Sequence, residues 1–263
     1  MTHSELGEVI AEGQRVRGQA RRPERTTAPR WRLRAEASAA GAPADLYLYD
    51  VIGWPGIEAG AVVAELRSLG ARPLRVHLNS SGGDVFDGLA IYNTFQHHPA
   101  PVAVHVEGLA ASIASVIAMG GASLSMAAAS LLMIHEPHAL VMGPAGDMRH
   151  MAELLDKTAG LMADVYARRG ADRTQIRHWM YDETWFSASD AREARLIDTI
   201  DAGALPDEAA AAWAAFDLSG FRRPPAAPAP PPPRPSPRAR EYARIAAHGF
   251  ELLAGAGAPA QKE

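Results

Sequence analysis

The chain has 263 residues, enough for one domain of roughly 200 residues with extensions, since single domains run to about 250 residues. A formal net charge of −4 argues against a nucleic-acid-binding protein, which carries a dominant basic face, and 48% hydrophobic content suffices for a core. The lack of cysteine excludes disulfides, thiolate metal sites and cysteine nucleophiles, and fits a cytoplasmic chain.

Residues 1–43 form an arginine-rich arm: Arg15, Arg17, Arg21, Arg22, Arg25, Arg30, Arg32 and Arg34 crowd a stretch with few apolar residues. Such a stretch cannot bury enough surface to offset chain entropy and is expected to be solvated and disordered, or to contact an acidic partner. It has no apolar h-region, so it is not a signal peptide. The longest apolar stretch, around Leu109 to Ile134, is broken by Gly120-Gly121 and several serines, so no membrane span is expected.

Residues 44–204 are expected to form the folded domain. Leu46 to Gly53 reads as a strand ending in the turn Trp54-Pro55-Gly56. Ala61, Val62, Val63, Leu66 and Leu69 recur at helical spacing, and Gly70 closes that helix. Pro73 to Asn79 alternates like a strand, with His77 a structural residue in it. After Gly82-Gly83 a helix opens at Asp84, with Val85, Leu89, Tyr92 and Phe95 on one face. Pro101 to Val106 is a strand, Ala110 to Met119 a helix, and Ala122–Met126 and Leu131–Ile134 are short strands. A long helix runs from near Asp147 to Arg169, striped by Met148, Met151, Leu155 and Met162.

A short helix over Thr174–Tyr181 follows, then a turn from Asp182 into a helix capped by Ser187 or Ser189, then a strand over Leu196–Ile200. Strands alternating with helices imply βαβ units with right-handed crossovers. Beyond the domain come an alanine-rich helical extension over 205–222, a proline-rich linker over 223–238, and a helical or disordered tail over 239–263.

Three stretches carry chemistry. Asn79-Ser80-Ser81-Gly82-Gly83-Asp84 is a glycine turn between a strand and a helix, a context in which amide N–H groups point into one concavity. Gly108-Leu109-Ala110-Ala111-Ser112 brings a serine among small residues to a strand-to-helix junction. His135 ends an apolar strand in Met133-Ile134-His135-Glu136-Pro137. Backbone donors, a nucleophile and a base are the parts of a serine hydrolase. Ser112 does not stand in Gly-x-Ser-x-Gly, so the α/β-hydrolase elbow is not the template. Taken alone, a serine opening a buried helix is more often structural. His97 and His98 end a helix, where imidazole suits the dipole, and no metal site is expected.

Together with Glu183-Thr184-Trp185-Phe186-Ser187-Ala188, these motifs resemble the Clp peptidases, the ClpP-like serine proteases, over roughly residues 45–200. The nearest form is the phage-encoded ClpP-related head maturation proteases. The resemblance implies an α/β, crotonase-like spiral of βαβ units with a long protruding handle helix. It implies Ser112 as nucleophile, His135 as base, and Gly83 and Ile113 N–H as oxyanion donors. Gly82, Asp84 and Val85 on one side, and His138, Ala139 and Leu140 on the other, would hold an extended substrate. The family's triad aspartate aligns with Glu183, with Asp182 as the alternative. Ser81 stands where the family pattern usually has proline.

The resemblance also implies self-association into rings, a protein or peptide substrate such as scaffold or capsid protein, and no cofactor, nucleic-acid or membrane partner. The setting would be bacterial cytoplasm or phage prohead. The alternatives are a degradation subunit fed by an AAA+ unfoldase, a crotonase-type acyl-CoA enzyme, or a silent capsid-assembly protein. The Ser112/His135 pair disfavours the crotonase reading, because those enzymes normally use glutamates.

Overall fold

The computed structural model describes residues 31–35, 42–201, 216 and 218–224. All of them lie in the first of two compact units, Met1–Ala226. The proline-rich linker beyond Pro224, the 239–263 tail and most of the 205–222 extension lie outside the described residues, as do residues 1–30 and 36–41 of the arm.

Eight strands form one sheet: β1 (Trp31–Ala35), β2 (Ala44–Leu48), β3 (Leu74–Ser80), β4 (Val102–Ala111), β5 (Ser123–Ala127), β6 (Leu131–Ile134), β7 (Thr184–Ser187) and β8 (Thr199–Asp201). Among the described residues six helices accompany them: α1 (Ala59–Leu69), α2 (Val85–Gln96), α3 (Ile113–Ala118), α4 (Ala145–Ala167), α5 (Arg173–Asp182) and α6 (Ala188–Glu193). Strands β2, β3, β4, β5 and β8 pair in parallel in that order, the βαβ pattern read from the sequence. The α/β class is therefore the expected one.

The core lies between the sheet and its helices. Leu46, Leu48, Val76, Leu78, Val104, Val106, Leu124 and Met126 alternate along the strands and meet Val62, Leu66, Ile91, Phe95, Val116 and Ile117. His77, between those apolar positions on β3, bonds Glu107 at 2.7 Å and Asp45 at 3.2 Å, and Asp45 also accepts two bonds from Arg75.

Several expectations change. Trp31–Ala35, expected within a disordered arm, is a strand paired antiparallel to β2. Strand β4 runs on through Ala111, so the following helix starts at Ile113 rather than Ala110. The expected turn before Ser187 is strand β7, antiparallel to β6. Residues 218–223, in the stretch expected to be a helical extension and the start of the linker, are coil, turn and bend.

Strand β4 is shared. Ala103–Val106 pairs with β5, whereas Leu109–Ala111 pairs with β6, so the sheet forks along one strand. Helix α4 is exposed over most of its first half, including Met148, and buries Thr158, Ala159, Met162, Ala163, Val165 and Tyr166 in its second.

Candidate active site

Ser112 is the hinge between β4 and α3. Its backbone sits at φ 55°, ψ −129°, a region that side chains strongly disfavour. An ordinary residue stays there only when its surroundings impose the geometry. Here Ser112 N–H donates to Met133 C=O at 3.0 Å, continuing the β4–β6 ladder. The Ser112 carbonyl accepts from Ser115 N–H at 3.0 Å and from Ser115 Oγ at 2.5 Å. The sharp turn lifts the Oγ out of the strand. The geometry is that of a nucleophile elbow although the glycines that signal one are missing.

His135 stands just past β6, two residues after Met133. Its Nε2 lies 2.7 Å from Ser112 Oγ. The ring is buried, with an edge contact to His138 at 5.4 Å and another to Phe221 at 5.8 Å. Burial is the main cause holding its pKa down at about 4; His138 and Arg222 push the same way, and Glu183 opposes them. At neutral pH the imidazole is therefore uncharged and able to accept the serine proton.

The glycine turn meets this pair directly. A Cβ on Gly82 (φ +91°) would lie 2.7 Å from both Ser112 Cβ and Ala111 O, so only glycine lets the loop approach the elbow this closely. Gly82 C=O accepts from Ile52 N–H, and Asp84 N–H donates to Ile52 C=O. Asp84 also caps α2, accepting from Phe86 and Asp87 N–H. Gly83 N–H makes no hydrogen bond among the described residues. Ile113 N–H opens α3, where a helix leaves its first donors without intrahelical partners. Val85 is partly buried at the start of α2, while His138, Ala139 and Leu140 are exposed on the loop after His135.

The two acidic candidates separate. Asp182 is exposed, whereas Glu183 is 4% exposed, caps α5 in the left-handed region at φ 53°, and acts electrostatically on His135. Glu183 is not hydrogen-bonded to the imidazole. Its carboxylate accepts from Arg222 N–H at 2.9 Å and Arg223 N–H at 2.7 Å. Those donors follow Phe221, which packs with Leu218 and Phe216 against Leu109, Ala111, Met133 and Trp185. Sequence reading missed this contact; the apolar spacing of Phe216, Leu218 and Phe221 just before the prolines was the available signal.

Ser115 and Tyr166 were missed as well. Ser115 Oγ lies 2.8 Å from Tyr166 Oη, and both residues are fully buried. Among the described residues no group of three or more His, Cys, Asp or Glu side chains could hold a metal ion, and no helix is long and apolar enough to cross a membrane.

The family model for Clp protease matches residues 58–203, more than half of the chain. The chain belongs to the Clp protease family. Among curated Clp relatives, ATP-dependent Clp protease proteolytic subunit 2 of Corynebacterium diphtheriae is 33% identical over 132 residues, 49% of this chain and 66% of the relative. The subunit 2 of Corynebacterium glutamicum matches to the same extent. ATP-dependent Clp protease proteolytic subunit 1 of Salinibacter ruber is 32% identical over 152 residues, 54% of this chain and 64% of the relative. The matched stretch thus spans slightly less than two thirds of each Clp relative's length.

Proposed function

We propose that this chain is a serine endopeptidase that works without ATP or a cofactor. The observation that carries the reading is the 2.7 Å contact between His135 Nε2 and Ser112 Oγ at a strained strand-to-helix turn. In the proposed mechanism, Ser112 Oγ attacks the scissile carbonyl carbon as its proton passes to His135 Nε2. Gly83 and Ile113 N–H hold the oxyanion; one such donor is typically worth about 3 kcal/mol in the transition state. Collapse breaks the C–N bond, and His135 returns its proton to the leaving amine. Water, deprotonated by His135, then hydrolyses the Ser112 ester.

In this reading Glu183 stabilises the imidazolium from nearby. Gly82, Asp84 and Val85 would flank the extended peptide on one side, and His138, Ala139 and Leu140 on the other, by main-chain pairing with weak side-chain preference. The chain would work as a ring, since Leu154 and Leu161, seven residues apart and so on one face of α4, are large apolar side chains left exposed.

The finer reading is capsid maturation: cleavage of scaffold or coat protein during phage head assembly, in the host cytoplasm or the prohead. It is supported by the motif resemblance. A second reading, a degradation subunit served by an AAA+ unfoldase, is favoured by the names of the relatives, each an ATP-dependent Clp protease subunit. A fluorophosphonate probe should label Ser112 and leave Ser112→Ala unlabelled, and the variant should lose at least about 10³-fold in kcat while remaining folded. Labelling of both, or of neither, removes the peptidase reading. Cleavage of an unfolded protein with no ATP or unfoldase present separates the two biological roles, and a portal or major capsid gene beside this one would support the first.

A further inference from the structure

Ser115 has one hydroxyl proton, and its Oγ donates it to the Ser112 carbonyl at 2.5 Å. The phenol of Tyr166, 2.8 Å away, must therefore be the donor to Ser115 Oγ. The result is a directed relay: Tyr166 O–H to Ser115 Oγ–H to Ser112 C=O. Ser115 and Tyr166 are fully buried, so water does not compete, and hydrogen bonds in series polarise one another. Burial also raises the pKa of Tyr166, keeping the phenol protonated and a donor.

The carbonyl held by this relay belongs to the same peptide unit as Ile113 N–H. That unit is planar and trans, so the direction of its oxygen fixes the direction of its N–H. At φ 55° and ψ −129° Ser112 has a steric incentive to relax by rotating this plane, which would turn Ile113 N–H away from the site.

We propose that Tyr166 and Ser115 are positioning residues that aim the Ile113 N–H at the oxyanion, and so make the register of helix α4 part of the catalytic geometry. The proposal rests on the serine peptidase reading above. Neither side chain touches substrate, so both should act on the transition state and spare ground-state binding.

The test uses the full chain, a fluorogenic peptide and a peptide boronate, which adds to Ser112 as a tetrahedral adduct with an oxygen in the oxyanion position. Tyr166→Phe keeps the ring and its packing. It should lower kcat about threefold, and Ser115→Ala about tenfold, with KM within about twofold and boronate affinity falling by the same factor as kcat. Wild-type kcat and boronate affinity in folded Tyr166→Phe and Ser115→Ala would overturn the relay while leaving the peptidase reading intact. A rise in KM that accounts for the whole loss would also overturn it. A wild-type chain that neither cleaves the peptide nor binds the boronate would remove both.

Discussion

Gly88→Ala sets two effects of known size against each other. In the interior of α2, alanine is favoured over glycine by about 1 kcal/mol of helix propensity. Sequence reasoning alone therefore expects a more stable protein. The structure reverses the sign: a Cβ on Gly88 would lie 2.1 Å from Cγ1 of Ile113 and 3.2 Å from its Cβ and Cδ1. Relief needs a separation of α2 from α3 of over about 1 Å or a new rotamer for Ile113, and a β-branched side chain in a helix has one strongly preferred χ1. Overpacking of this kind costs about 1–3 kcal/mol, so the net change is a destabilisation of about 1 kcal/mol and a fall in Tm of roughly 2–4 °C. Ile113 also carries the proposed oxyanion N–H, so kcat should drop about tenfold or more, because small displacements of a positioned group are expensive. Denaturant melts and kcat on one peptide substrate measure both. Adding Gly88→Ala to Ile113→Ala, which has no Cγ1 to clash, should cost little. A Gly88→Ala protein more stable than wild type with unchanged kcat would refute the packing argument.

Glu183→Gln should lower kcat about 10²-fold or more and destabilise by about 2 kcal/mol, because the amide cannot accept both N–H bonds as the carboxylate does; Asp182→Asn, on the surface, should leave kcat within about threefold. Comparable effects from the two would refute the separation of roles. The depressed pKa of His135 has a definite sign: with about 4 in the folded chain and about 6.5 unfolded, the unfolded state binds more protons in between, so stability falls as pH drops from about 6.5 and levels off below about 4. The acid limb of kcat/KM should likewise lie near 4, and a limb near 6.5 would mean that His135 is not desolvated in the free protein. Leu154→Glu with Leu161→Glu should shift light scattering toward smaller species if α4 is an assembly surface, and an unchanged mass would exclude that use of this face.

Much of this fold was legible because its signals are local. Asp84 and Gly70 marked helix ends, the period-two alternation in β3 marked a strand, and Ser187 caps α6 through a capping box with Asp190, as its spacing allows. The alternation of Trp31, Leu33 and Ala35 with Arg32 and Arg34 was also a strand signal, outweighed by the arginine content around it. What stayed hidden depends on residues far apart in the chain. Ser115 and Tyr166 are 51 residues apart, and Glu183 reaches Arg222 and Arg223 across 39 and 40 residues. The positive φ of Ser112 could not be read either, because tertiary bonds impose it on a residue whose type argues against it.

The fork in β4 bears on which changes of length this chain can tolerate. Nucleophile and base are joined by one short ladder: Leu109–Ala111 against Leu131–Met133, then Ser112 N–H on Met133 C=O, then His135 two residues on. An extra residue in the turn from Ala127 to Ser130 lies outside that ladder, where a longer loop costs only a few tenths of a kcal/mol in closure entropy, by a rough ~RT estimate. The same insertion between Met133 and His135 would change the pleat parity and send the imidazole to the opposite face of the sheet. Insertions and deletions in working relatives should therefore gather in the β5–β6 turn and leave the three-residue run from Met133 to His135 at constant length.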